Sequence, residues 1–213
     1  VTFGAPVDLH RNSALRDEVA VRVIDTLSGA TRAMLDAMEG LPGAFSSIGF
    51  RVLSMRKEIK QLVGFVANLH DREALMRGES SRRFLHGEGF VYWPGPALRT
   101  FFEEFIVDNR LSQGGFVVDG RSLTLADIQC PILYFYGERD EFARGPSVRA
   151  IREAAPHATT YEVPLRTGHF GLVVGSVAMK HTWPTLVSWM QWLEDKAPRP
   201  SQLRDRAAVE ALV

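Results

Sequence analysis

Asp140 and His169 stand 29 residues apart, and each sits in a setting suited to nucleophilic catalysis. An imidazole takes a proton from a hydroxyl or thiol efficiently only if it is held in one tautomer, which a carboxylate bonded to its far nitrogen achieves. Asp140 closes the run Ile132-Leu133-Tyr134-Phe135-Tyr136-Gly137-Glu138-Arg139-Asp140, so a rigid strand would fix its position while the turn frees its side chain. His169 lies in Arg166-Thr167-Gly168-His169, where Gly168 is expected to allow unusual backbone angles and let the ring project over the carboxyl edge of a sheet. The interval has room for one helix and one strand, enough to carry the chain from one loop to its neighbour on the same edge. Taken singly, a loop aspartate is usually solvated and a histidine is usually an ordinary surface or core residue. In acid-then-base order after a strand-helix-strand unit, the two read as members of a catalytic triad.

The third member is missing from the sequence. A nucleophile of this type stands on a sharp strand-to-helix turn, Gly-x-Ser-x-Gly or its cysteine variant, ahead of both partners. No such pattern occurs: Ser46-Ser47-Ile48-Gly49 lacks the leading glycine, and Gly175-Ser176-Val177 follows the histidine. Cys130 precedes Pro131 at the start of a strand, the wrong end of a sheet for catalysis, and reads as a buried structural thiol. The oxyanion hole would be lost with the nucleophile, since one donor is the backbone N–H that follows it. The nucleophile is therefore expected upstream of Val1.

The elements that must position the pair follow from punctuation and periodicity. Val1-Thr2-Phe3-Gly4 is a short run of β-formers closed by Pro6 and Asp8, as expected of a buried parallel strand. From Ser13 apolar residues recur at three and four positions through Leu15, Val19, Val23, Leu27, Met34, Leu35 and Met38, until Gly40-Leu41-Pro42-Gly43 interrupts them. Ile59, Leu62, Val63 and Val66 mark a second helical stretch; Leu98, Phe101, Phe102, Phe105 and Ile106 mark a third, after Pro94-Gly95-Pro96. Gly115 to Gly120 predicts a small hairpin or extended link. Pro131 to Tyr136 predicts a strand covered on both faces, Ser147 to Ala155 a helix, and Thr159 to Val163 a second strand parallel to the first. Pro184 to Lys196, with Leu186, Trp189, Met190 and Leu193 on one face, predicts a terminal amphipathic helix. Ala197-Pro198-Arg199-Pro200-Ser201 reads as a linker before a charged tail.

With 213 residues, 46% of them hydrophobic, the chain has enough apolar surface for one substantial core. Its 25 basic and 25 acidic residues balance, which argues against nucleic acid or an anionic membrane as the main partner. One cysteine cannot form an internal disulfide, which fits a reducing, cytoplasmic setting. No apolar run approaches the roughly 18 residues of a membrane span. The six histidines show no metal-ligand spacing, and no phosphate-binding glycine loop appears. No metal or cofactor is implied. The basic runs Arg72 to Arg83 and Arg144 to Arg152 could meet coenzyme A phosphates, but such runs are more often wet helix faces.

The chain resembles the polyhydroxyalkanoate synthases and related α/β-hydrolase domains. The resemblance rests on Val1-Thr2-Phe3-Gly4-Ala5-Pro6-Val7-Asp8, on Asn109-Arg110-Leu111-Ser112-Gln113-Gly114-Gly115 leading through Leu125 to Pro131 and on to Gly137-Glu138-Arg139-Asp140, and on Gly168-His169-Phe170-Gly171-Leu172 with Trp183-Pro184. It implies an α/β fold comprising the carboxyl-terminal part of an α/β-hydrolase, its last three parallel strands and flanking helices, plus a helical cap. Residues 1–10 would hold a core strand, 11–112 the cap, 113–196 the rest of the core and 197–213 a linker or tail. It implies Asp140 as the triad acid, His169 as the general base, and a cysteine or serine nucleophile on a turn just ahead of Val1. Phe90, Tyr92, Trp93, Phe101 and Phe102 could line an acyl tunnel in the cap, or only pack helices together.

Two functional readings follow. In the first, the chain is part of an acyl-transfer enzyme, a polyhydroxyalkanoate synthase-like acyltransferase or an ester or thioester hydrolase. Its partners would be an acyl-CoA or acyl ester and, as a protein partner, a second copy in a homodimer. In the second, it is a truncated binding or interaction module without turnover, which the missing nucleophile favours for the isolated residues.

Overall fold

The computed structural model describes residues 1–12 and 93–205, with positions 29, 33, 40–41 and 63 between them. They belong to two compact units, one formed by Val1–Leu27 with Glu103–Val213, the other by Ser28–Phe102. In chain order the strands are β1 (Thr2–Phe3), β2 (Gly40–Leu41), β3 (Trp93–Pro94), β4 (Phe116–Val118), β5 (Arg121–Leu123), β6 (Ile132–Gly137) and β7 (Thr160–Leu165).

The first unit is built on a parallel sheet in the order β1-β6-β7. Its register sets Phe3 beside Phe135 and runs from Ile132 opposite Thr160 to Gly137 opposite Leu165. All six residues of β6 are buried, as an uninterrupted apolar run requires when helices cover both faces. The two-residue period divides that burial. Ile132, Tyr134 and Tyr136 join Val7, Ala143, Val148 and Ile151 on one side, while Leu133 and Phe135 join Val163, Leu172, Trp189 and Leu203 on the other. The expected crossover helix is present as two short helices, Gly145–Arg149 and Ile151–Ala154. Three parallel strands flanked by helices form the expected carboxyl-terminal α/β-hydrolase-like arrangement, and most of the described residues of the second unit are helical, as expected of a cap.

In the second unit β2 and β3 pair antiparallel, and the helix Gly95–Thr100 begins immediately after β3 with a proline in its first turn. A π-helical stretch, Phe101–Val107, continues from it. The helices expected over 13–38 and 59–66 lie outside the described residues, apart from the helical positions Gly29, Ala33 and Val63. The basic run Arg72 to Arg83, Ser46 to Gly49, and the aromatics Phe90 and Tyr92 also lie outside them.

Several expectations are refined or corrected. The segment from Gly115 is a true hairpin, β4 to β5, whose turn residues Asp119 and Gly120 both have positive φ, 51° and 76°, as a tight hairpin turn requires. The terminal helix spans Trp183–Leu193, but the face turned to the core carries Thr185, Leu186, Trp189 and Trp192. Met190 and Leu193 are exposed, because their positions lie one residue beyond that stripe on the helical wheel. The described part of the expected linker or tail, residues 197–205, packs back onto the domain. Leu203 is buried, and Arg204 exchanges backbone hydrogen bonds of 2.7 and 2.9 Å with Glu162.

Arg149 and Arg152, read as part of a wet face, instead surround a buried carboxylate. Arg149 donates two 2.9 Å bonds to Glu162, Tyr134 donates a third at 2.8 Å, and Arg152 lies 3.7 Å away. Burial pushes the Glu162 carboxyl upward, but the bonds from Arg149 and Tyr134 and the two guanidinium charges outweigh it and hold it below its ordinary value. Burial, and then the charge of Glu162, raises Tyr134 well above the usual phenol range, so its hydroxyl remains a donor. No helix among the described residues is long and apolar enough to cross a membrane.

Candidate active site

The acid loop starts where β6 runs out of sheet. Past Gly137 the backbone N–H groups of Glu138 and Arg139 still bond across to Leu165 and Thr167, at 2.8 and 3.1 Å, before Asp140 turns back to the Gly137 carbonyl at 3.0 Å. A side chain at Gly137 would put its Cβ 2.5 Å from the Thr167 carbonyl oxygen, so the loops carrying Asp140 and His169 approach as closely as glycine permits. The Asp140 side chain is completely buried. Its Oδ1 accepts the N–H groups of Phe142 and Ala143, each at 2.9 Å, and its Oδ2 lies 2.8 Å from His169 Nδ1. Two of these partners can only donate, which suits an ionised, acceptor-only carboxylate. The Oδ2 contact then suits Nδ1 as the donor, which would leave Nε2 to accept.

His169 opens the 3-10 turn His169–Leu172, which is pinned by the fully buried Leu172. The unusual backbone angle expected at Gly168 is not there: its φ of −88° and ψ of −179° are open to any residue. The left-handed backbone lies across the site, at Gly4, with φ 56°. A Cβ at Gly4 would lie 2.9 Å from Leu172 Cδ1 and 3.1 Å from both Asp140 Oδ2 and His169 Nδ1. The end of β1 is thus packed directly against the hydrogen bond between Asp140 and His169. On the other side the ring meets Phe142 and Phe170 edge-on, with centroids 5.7 and 5.5 Å away. The imidazole is 32% exposed, so it is walled by apolar groups yet reachable.

Asp140 and His169 are brought together as expected. Sequence reasoning overlooked Gly4 and Phe142. A glycine directly after a β-forming run was a visible signal for the first; nothing local marks the second, whose role comes from the loop it shares with Asp140. Cys130 is exposed rather than buried. It sits just before the start of β6, whose six residues span about 20 Å, so it is far from the pair on either reading. A cleft of about 600 Å³ borders the acid loop, lined by Arg11, Tyr136, Arg139, Asp140, Arg144 and neighbours but not by His169.

No family model matches the chain. Among curated proteins it is similar to the poly(3-hydroxyalkanoate) polymerase subunit PhaC of several organisms. It is 24% identical to that of Haloferax mediterranei over 159 residues, covering 74% of this chain and 32% of the relative. To that of Synechocystis sp. it is 24% identical over 195 residues, covering 89% and 50%, and to that of Allochromatium vinosum 26% identical over 113 residues, covering 51% and 32%. The chain thus spans about a third to a half of the length of these relatives. At family level it is similar to the PhaC polymerase subunits.

Proposed function

We infer that these residues supply the acid and base of an acyl-transfer enzyme that acts on acyl esters or acyl-CoA thioesters through a nucleophile lying outside them. The observation that carries the reading is the 2.8 Å contact between His169 Nδ1 and a fully buried Asp140, at the carboxyl ends of adjacent parallel strands. In the complete site, Nε2 of His169 takes the proton of a serine hydroxyl or cysteine thiol as that atom attacks the acyl carbon. Asp140 keeps Nδ1 protonated and stabilises the imidazolium that forms. The proton then passes from Nε2 to the departing alkoxide or thiolate, leaving an acyl-enzyme. In the second half-reaction the same nitrogen deprotonates the acceptor, which is water in a hydrolase or a hydroxyacyl group in a synthase. The named activity of the relatives supports the synthase.

The test is turnover of p-nitrophenyl acyl esters and of 3-hydroxyacyl-CoA by the full-length protein and its H169A variant. Release of p-nitrophenol or coenzyme A by the parent, abolished in H169A, is the expected result. Equal turnover by both would overturn the reading, and no turnover by either would favour a binding module.

A further inference from the structure

The two N–H groups that hold Asp140 Oδ1 belong to Phe142 and Ala143, so the carboxylate is only as well placed as its own loop. That loop is held from a distant part of the chain. Asn12 Nδ2 donates to the Phe142 carbonyl oxygen at 2.7 Å, and Asn12 Oδ1 accepts the Arg144 N–H at 2.8 Å. Because one partner can only accept and the other can only donate, the orientation of the amide is settled. A primary amide is the side chain that offers a donor and an acceptor side by side in this way, completing the loop as a neighbouring strand would. The anchor is itself secured. Asn12 ends the turn His10–Asn12, whose first two N–H groups bond Asp8 Oδ1 at 3.1 and 3.2 Å, while Asn109 Nδ2 donates to the same oxygen at 2.9 Å. His10 Nε2 adds a 2.9 Å contact to the Ile106 carbonyl. The segment clamped by Asn12 also carries the Phe142 ring that packs edge-on against His169.

We propose that Asn12 is a positioning residue for the Asp140–His169 pair, acting through the backbone of residues 142–144 on both the carboxylate and the aromatic wall of the imidazole. The proposal rests on the reading of that pair as acid and base. It touches neither reacting group, so its removal should misplace the acid without altering substrate contacts, and small misplacements of a catalytic group are costly.

A double-mutant cycle on the full-length protein tests it, with a p-nitrophenyl acyl ester as substrate. N12A is expected to lower kcat about 10- to 100-fold with KM changed less than about twofold, and to weaken the downfield Nδ1–H proton resonance of His169. In a D140N background, N12A should have no further effect on kcat, because the group it positions is already disabled. If N12A does not fold, N12D replaces it; this variant keeps the acceptor for Arg144 and loses the donor to Phe142, and the same non-additivity is expected. A normal kcat in N12A, or in N12D where that stands in, overturns the proposal, as does a loss of equal size in the D140N background. If D140N itself turns over normally, the acid–base reading fails first and takes the proposal with it.

Discussion

At the scale of single residues, the proposed chemistry depends on the hydrogen bond between Asp140 and His169 and on what crowds it. Replacing Asp140 by asparagine preserves shape but favours the wrong imidazole tautomer, and kcat of the full-length protein is expected to fall by about 10⁴, measured by steady-state ester turnover. Gly4 offers a sharper check, because it plays no chemical part. Alanine there must adopt a φ of 56° and bring its Cβ to 3.1 Å from both Asp140 Oδ2 and His169 Nδ1. A loss of about 1–3 kcal/mol in chemical denaturation is expected, accompanied by a drop in turnover larger than that of an equally destabilising variant in the terminal helix. Asp140 and His169 were legible because a strand-like run followed by a turn marks each position locally. The roles of Gly4 and Asn12 were not, although a glycine after a β-forming run marks the first locally, since their partners come from segments more than 100 positions away.

At the scale of elements, Glu162 on β7 ties that strand to β6 through Tyr134 and to the crossover helices through Arg149. Its carboxyl is held below its ordinary value in the folded protein, so its contribution to stability is fully present above the unfolded carboxylate range, about 4.3, and is lost as pH falls through the lower folded value. Acid titration of the melting temperature should therefore fall more steeply below about pH 4.3 in the parent than in E162Q. At neutral pH E162Q should itself cost about 3 kcal/mol or less, since removing one partner strands the other, and Arg149 is partly reachable by water. The β6 run and its alternation were readable from sequence because burial on both faces leaves no polar position. The break that splits the crossover helix at Ala150 and the return of the tail to Glu162 were not, because both are set by neighbours in space.

At the scale of the whole molecule, the first unit is stabilised from both sides of a sheet three strands wide among the described residues. Phe135 is fully buried and stacks on Phe3 at a centroid distance of 5.3 Å. Phe135→Ala is expected to cost about 3–5 kcal/mol in urea unfolding, loosening β1 and with it Gly4. The other edge of β1 has no strand partner among the described residues. Because such an edge recruits further strands, these 213 residues expressed alone should self-associate. Analytical ultracentrifugation showing a strictly monomeric species with a single sharp melt would contradict this.

The sequence by itself determined the parallel strand–helix–strand unit and marked Asp140 and His169 as a candidate acid–base pair. Each of these is encoded in a short run of residues whose polarity and turn-forming propensity act locally. Only the tertiary structure decided how the pair is held: by a left-handed glycine from β1, by an aromatic wall shared between two loops, and by an amide from the start of the chain gripping the acid loop. Those contacts join segments far apart in the chain, and no local pattern records them, because they arise only when the packing of the sheet brings three chain segments to one edge.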